Sequence, residues 1–147
     1  GMYFIQVSQY TFHAWIACVP SALLVHNLLL MNEFPDIEAD RIGKRTTLPI
    51  SLGRKPAAVI YTIAGIAVYA WIIIWVAAGF FGWTASRVMP PWALLALLTI
   101  PFFFRAVKSA FNSENQAVFI PGMAANVITV LLTQTLLGIG YILGRVI

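Results

Sequence analysis

An all-α, multi-pass transmembrane helical bundle is the fold this sequence predicts, on three observations: very little charge, four long apolar runs, and one segment that gathers most of the charge there is. Of the 147 residues, 61% are hydrophobic and 10% are charged, whereas a soluble domain carries roughly a quarter charged residues. The mean hydropathy is +0.86. No water-soluble fold of this length hides so much apolar surface. A helix needs about 20 apolar residues to cross a hydrocarbon layer of about 30 Å. Four runs qualify, at about residues 12–31, 57–81, 91–110 and 117–143, and they are read as a single transmembrane domain over 1–147.

The first run is expected to end or kink at Phe34, because Pro35 disfavours helical geometry in the residue before it. It carries Cys18, read as a small buried hydrophobe, together with His13 and His26. Neither histidine has a partner at metal-ligand spacing, and His26, six residues before Asn32, is the better pocket-wall candidate. The second run, Ala57 to Phe81, contains no charged residue. The third, Pro91 to Phe104, would reach only about 20 Å as an α-helix. It is therefore expected to continue through Ala110 with Arg105 and Lys108 snorkelling toward the headgroups. In the fourth, Pro121-Gly122 should kink or loosen the helix start, since proline removes a backbone bond. Gly140 and Gly144 form a small-xxx-small pair that permits close helix approach. Asn126, Thr129, Thr133 and Gln134 are too polar to face lipid without cost and should point into the bundle.

Between the first two runs, Asn32 to Lys55 holds nine of the fourteen charged side chains. Lysine and arginine in short loops mark the cytoplasmic side of a membrane protein. Arg41, Lys44, Arg45, Arg54, Lys55, Arg105 and Lys108 fall on one side and only Arg87 and Arg145 on the other, which places the charged segment in the cytoplasm at the cell (inner) membrane. Trp83 and Trp92 bracket the opposite short loop, where indoles sit at the interface. The net charge of +4 is not laid out as a stripe on a polar surface, so no nucleic-acid partner is expected. One cysteine cannot form an internal disulfide. The first residues lack the order of a signal peptide.

Within the charged segment, Asn32, Asp36 and Asp40 recur every fourth residue, which on a helix puts them on one face about 6 Å apart. Two carboxylates held that way suit a hard divalent cation. Mg²⁺ takes one or two carboxylates, keeps water, and draws its other oxygens from a substrate phosphate. The run Arg41-Ile42-Gly43-Lys44-Arg45-Thr46-Thr47 then adds guanidinium, ammonium and hydroxyl donors to the same neighbourhood, as a metal-bridged pyrophosphate requires. Set against this is an ordinary solvated loop whose aspartates and arginines pair off. Position favours the chemical reading, because the aspartates fall at the membrane's inner face, where an amphipathic phosphate with a long apolar tail presents its head.

The run Asn32-Glu33-Phe34-Pro35-Asp36-Ile37-Glu38-Ala39-Asp40-Arg41, then Gly43-Lys44-Arg45-Thr46 and Leu48-Pro49-Ile50-Ser51-Leu52-Gly53-Arg54, resembles the second aspartate-rich motif of the UbiA-type intramembrane prenyltransferases. Within that superfamily it is most similar to the 1,4-dihydroxy-2-naphthoate polyprenyltransferases of menaquinone synthesis. Such enzymes have nine transmembrane helices and two aspartate motifs facing each other across a cavity, with three helices after the second motif. Three spans follow Asp40 here, so the chain resembles the C-terminal half, without the first motif. Gly43 stands one residue closer to Asp40 than that family's pattern has it.

The resemblance implies transfer of a polyprenyl group from its pyrophosphate to an aromatic acceptor, in quinone biosynthesis among other settings. It implies that Asp36 and Asp40 hold Mg²⁺, with Asn32 and Glu33 as auxiliary ligands or substrate contacts, and that Arg41, Lys44 and Arg45 neutralise the leaving pyrophosphate. The polyprenyl pyrophosphate, the aromatic acceptor and membrane lipid are the implied partners. With one motif present, the isolated chain is expected to be inactive unless joined by an N-terminal half. A self-associating half-bundle and a non-catalytic membrane module are the alternatives.

Overall fold

The computed structural model describes residues 2–83 and 88–146; Arg87, counted above in the topology, lies outside them. The described residues are helical with tight connections: α1 Met2–Val7, α2 Phe12–Glu33, α3 Ile37–Ile42, α4 Leu48–Ser51, α5 Arg54–Phe80, a 3-10 segment Pro91–Thr99 running straight into α6 Ile100–Phe111, and α7 Gln116–Val146. The four long apolar units coincide with the four expected spans. They extend each by a few residues, since boundary residues such as Arg54 and Gln116 continue the backbone pattern beyond the apolar run.

The short third span gains its length from its first half. Residues 91–99 are wound as a 3-10 helix, which rises about 2.0 Å per residue against 1.5 Å for an α-helix. With α6 added, the unit reaches roughly 36 Å, enough to cross a bilayer. The change of winding falls where Pro101, at the start of α6, cannot donate a backbone bond into the preceding turn. Thr99, just before it, turns its hydroxyl back to the Ala96 carbonyl at 2.7 Å.

The most extensive contact is between α7 and this 3-10 segment, followed by α7 with α6 and α2 with α5. Gly140 makes the first possible: a Cβ there would stand 2.7 Å from the Trp92 carbonyl oxygen and 2.8 Å from the Ala93 nitrogen. At Gly144 a Cβ would meet the Pro90 ring at 2.3 Å. The small-xxx-small pair thus lets two backbones touch. Pro121 lies inside α7, and the helix is continuous across it.

Two apolar clusters fill the bundle. One, with Leu30, Met31, Phe34, Tyr61, Phe103 and Phe119, sits beneath the charged segment; the other, with Ile16, Leu24, Val68, Ile72, Met89 and Leu137, fills the far end. Of the polar groups expected to point into the bundle, Asn126 and Thr133 meet partners on other helices. Tyr61 donates its hydroxyl to Asn126 Oδ1 at 2.8 Å, and Asn27 Nδ2 donates to the Tyr61 carbonyl at 3.0 Å, tying α2, α5 and α7 together. Thr133 and Thr99 share a hydrogen bond of 2.7 Å. Thr129 is buried but bonds within its own helix, to Ala125. Each interhelical bond is worth about 0.6 kcal/mol, and up to about 1.7, in a membrane. Isoleucines and leucines such as Ile63, Ile74, Leu98, Leu131 and Ile142 cover the outer faces. Cys18 joins them. It is exposed and free, on the outside of α2 and not in the core as its apolar surroundings suggested.

Candidate functional site

Asn32 to Lys55 is more ordered than a loop. Helix α2 carries through Asn32 to Glu33, and a turn at Phe34-Pro35-Asp36 leads into α3. Phe34 itself keeps right-handed helical angles (φ −66°, ψ −43°) despite the proline after it, so the chain bends by turning, not by unwinding. Burial fixes that corner: Phe34 and Ile37 are buried in the bundle end.

Asp36 stands at the start of α3, and the Asp40 amide donates to its carbonyl at 2.8 Å. The two aspartates are therefore one helical turn apart, as their spacing predicts. Their surroundings differ. Asp36 is exposed, whereas Asp40 is buried, with Oδ1 3.6 Å from an Arg45 guanidinium nitrogen. Arg41 turns outward and pairs with Glu38 at 3.5 Å, both well exposed, an arrangement worth at most about 1 kcal/mol and readily released. Asn32 is exposed one turn before Asp36, on the preceding helix. Glu33 is engaged: its Oε2 accepts from the Leu48 amide at 3.2 Å and so anchors the start of α4.

The basic residues follow a sharp reversal. The Lys44 amide donates to the Arg41 carbonyl at 3.1 Å and the Arg45 amide to the Asp40 carbonyl at 2.8 Å, the paired bonds of a Schellman helix end. The residue in the left-handed position of such an end is usually glycine. Here Gly43 keeps φ −74° and Lys44 takes φ +55°. The early placement of Gly43 noted in the sequence thus passes the left-handed conformation to the lysine. The reversal folds Arg45 back onto Asp40, and Lys44 is exposed.

Two contacts near the site were not legible beforehand. Arg54 Nη1 donates to the Phe34 carbonyl and to Ser113 Oγ, each at 3.3 Å, clamping the end of α2 and the α6–α7 connection to the start of α5. In the sequence Arg54 stands out only as one of the topology-setting basic residues. The Thr47 hydroxyl is buried and has no hydrogen-bond partner among the described residues.

Among the described residues no three His, Cys, Asp or Glu side chains gather at metal-binding distance. Two carboxylates one turn apart, one of them already holding a cationic partner, nevertheless fit Mg²⁺, which needs one or two with water and phosphate oxygens completing the shell.

A model of the UbiA prenyltransferase family matches residues 1–142. The chain belongs to the UbiA prenyltransferase family. It is 28% identical over 141 residues to the 1,4-dihydroxy-2-naphthoate octaprenyltransferase of Bacillus subtilis (strain 168), a match that covers 96% of this chain and 43% of that protein. The chain therefore spans less than half the length of this UbiA relative. No solved structure matches it. UbiA membership and the four long apolar helices make it an integral membrane protein.

Proposed function

We propose that this chain is the C-terminal part of a Mg²⁺-dependent membrane prenyltransferase that moves a polyprenyl group from its pyrophosphate to an aromatic acceptor in quinone biosynthesis. The observation that carries this reading is Asp36 and Asp40 one helical turn apart at the end of an apolar membrane helix, with Arg45 folded back onto Asp40 and Lys44 exposed in the turn before it, in a UbiA family member. The naphthoate acceptor and the octaprenyl donor in the relative's name are the acceptor and donor classes to try first.

Asp36 and Asp40 would hold the metal, which when bound supplies Lewis-acid stabilisation of the pyrophosphate. Asp40 would exchange Arg45 for it. The Arg45 guanidinium would then be free of Asp40 and, with Lys44 and with Arg41 released from Glu38, would supply positive charge where negative charge grows as the carbon–oxygen bond breaks. Fixed positive charge at a developing anion is among the largest catalytic terms. The bond electrons leave with the pyrophosphate, and the allylic carbon joins an electron-rich ring carbon of the acceptor. That ring carbon then loses its electrofuge, a proton in the simplest case. Asn32, exposed on the last turn of α2, is placed to contact the substrate head, while Glu33 acts by holding α4 in position.

Membranes bearing the enzyme, given polyprenyl pyrophosphate and dihydroxynaphthoate, should form prenylated product only with Mg²⁺. Chelation should abolish it and added Mg²⁺ restore it. Turnover indifferent to chelation would contradict the reading.

A further inference from the structure

At the end of the bundle opposite Asp40 lies a cavity of about 460 Å³, lined among others by His13, Pro90, Pro91, Tyr141 and Arg145. The length of α2 separates the two ends, about 33 Å for 22 residues. All five acidic residues, Glu33, Asp36, Glu38, Asp40 and Glu114, belong to the other end. Among the described residues, the polar side chains lining this cavity are a guanidinium, a phenol and an imidazole, set among proline rings and Val88.

Backbone charge points the same way. His13 lies in the first turn of α2 and Pro91 opens the 3-10 segment, so two helix starts, each with partial positive charge, border the cavity. The opposing negative end of α7 carries Arg145 in its last turn. The Tyr141 hydroxyl is buried and without a hydrogen-bond partner among the described residues. An unmade bond of that kind costs about 1–3 kcal/mol in a folded protein. A small turn of the ring toward an acceptor in the cavity would satisfy it, and proline walls supply no competing N–H donor.

We propose that this cavity binds a phosphate group, carried by an anionic phospholipid at the membrane surface opposite the charged segment. Arg145 grips the phosphate, a geometry guanidinium groups favour, Tyr141 donates its hydroxyl, and the prolines and Val88 pack the glycerol and upper acyl chain. The site is independent of the prenyl-transfer reading and does not depend on it.

The test is native mass spectrometry of the full chain in detergent, titrated with phosphatidylglycerol and with phosphatidylcholine of the same acyl chains. One phosphatidylglycerol should bind about tenfold more tightly than phosphatidylcholine. Arg145→Gln should weaken that binding about tenfold and Tyr141→Phe several-fold, the usual scale for bonds to a charged group. Arg105→Gln, which removes a cation at the other end, should leave it unchanged. Tyr141→Phe should melt no lower than the parent in lipid-free detergent, because it removes an unpartnered hydroxyl; this separates loss of a ligand bond from loss of fold. Equal binding by the parent and Arg145→Gln, or an equal loss in Arg105→Gln, would overturn the proposal. Displacement of phosphatidylglycerol by millimolar inorganic phosphate would overturn the lipid as its source.

Discussion

Lys44 concentrates what a single residue can do at this site. Holding a lysine in the left-handed region costs about 1–2 kcal/mol relative to glycine, and the chain accepts this at the one turn that returns Arg45 to Asp40. Lys44→Gly should therefore raise thermal stability in detergent by about 0.5–1 kcal/mol, the relief being partly offset by the looser unfolded chain. The same change should lower prenyl transfer, since it removes a cation proposed to face the leaving group. Lys44→Ala would lose the cation and keep the strain, so the stability gain should be absent there. A stability loss in Lys44→Gly would mean that the turn is not wound as described. The sequence signals half of this: it shows Gly43 one place early, and only the backbone shows where the left-handed residue went. Asp40 and Arg45 are a similar case. Spacing predicts that the aspartates share a face, but burial of one and exposure of the other depends on Phe34 and Ile37 anchoring the corner, a tertiary effect with no local signature.

Among the elements, the contact between α7 and the 3-10 segment is the most constrained. Gly140→Ala would place a methyl within 2.8 Å of backbone atoms at Trp92 and Ala93, and neither can move without shifting a helix. Overpacking of this kind costs about 1–3 kcal/mol. Gly138→Ala adds the same methyl into open space and should leave stability unchanged or raise it slightly. Thermal unfolding of the two variants side by side checks the packing, and equal behaviour would refute it. The small-residue pair announced this contact in the sequence, and the four spans were legible because a membrane demands length and apolarity that nothing else in the chain imitates. The 3-10 winding was not legible. It arises from Pro101 and from close packing on Gly140, neither of which alters the hydropathy of the run. Cys18 failed for a related reason: in a membrane helix the outside is as apolar as the inside, so an apolar setting does not imply burial.

For the molecule as a whole, the basic residues of the charged segment and of α6 lead us to expect that this end of the bundle faces the cytoplasm. After Cys18→Ser removes the exposed native thiol, a cysteine at Ser51 and one at Glu114 should react with an impermeant reagent from the cytoplasmic side. One at Trp83 should react only from the other side. Equal labelling from one side would contradict a four-span arrangement. The proposed role of Asp36 and Asp40 is to hold the metal against the departing pyrophosphate, and pyrophosphate release by a prenyltransferase carrying this sequence reports on it without any intervening step. Asp36→Asn and Asp40→Asn retain side-chain size and remove the charge, so each should slow release by about 10² or more, and raising Mg²⁺ should recover part of the rate. Glu114→Gln, which removes a carboxylate on the same side but outside the motif, should stay near the parent rate. If all three variants released pyrophosphate at that rate, the charged segment would be a solvated connection and not the metal-holding half of an active site.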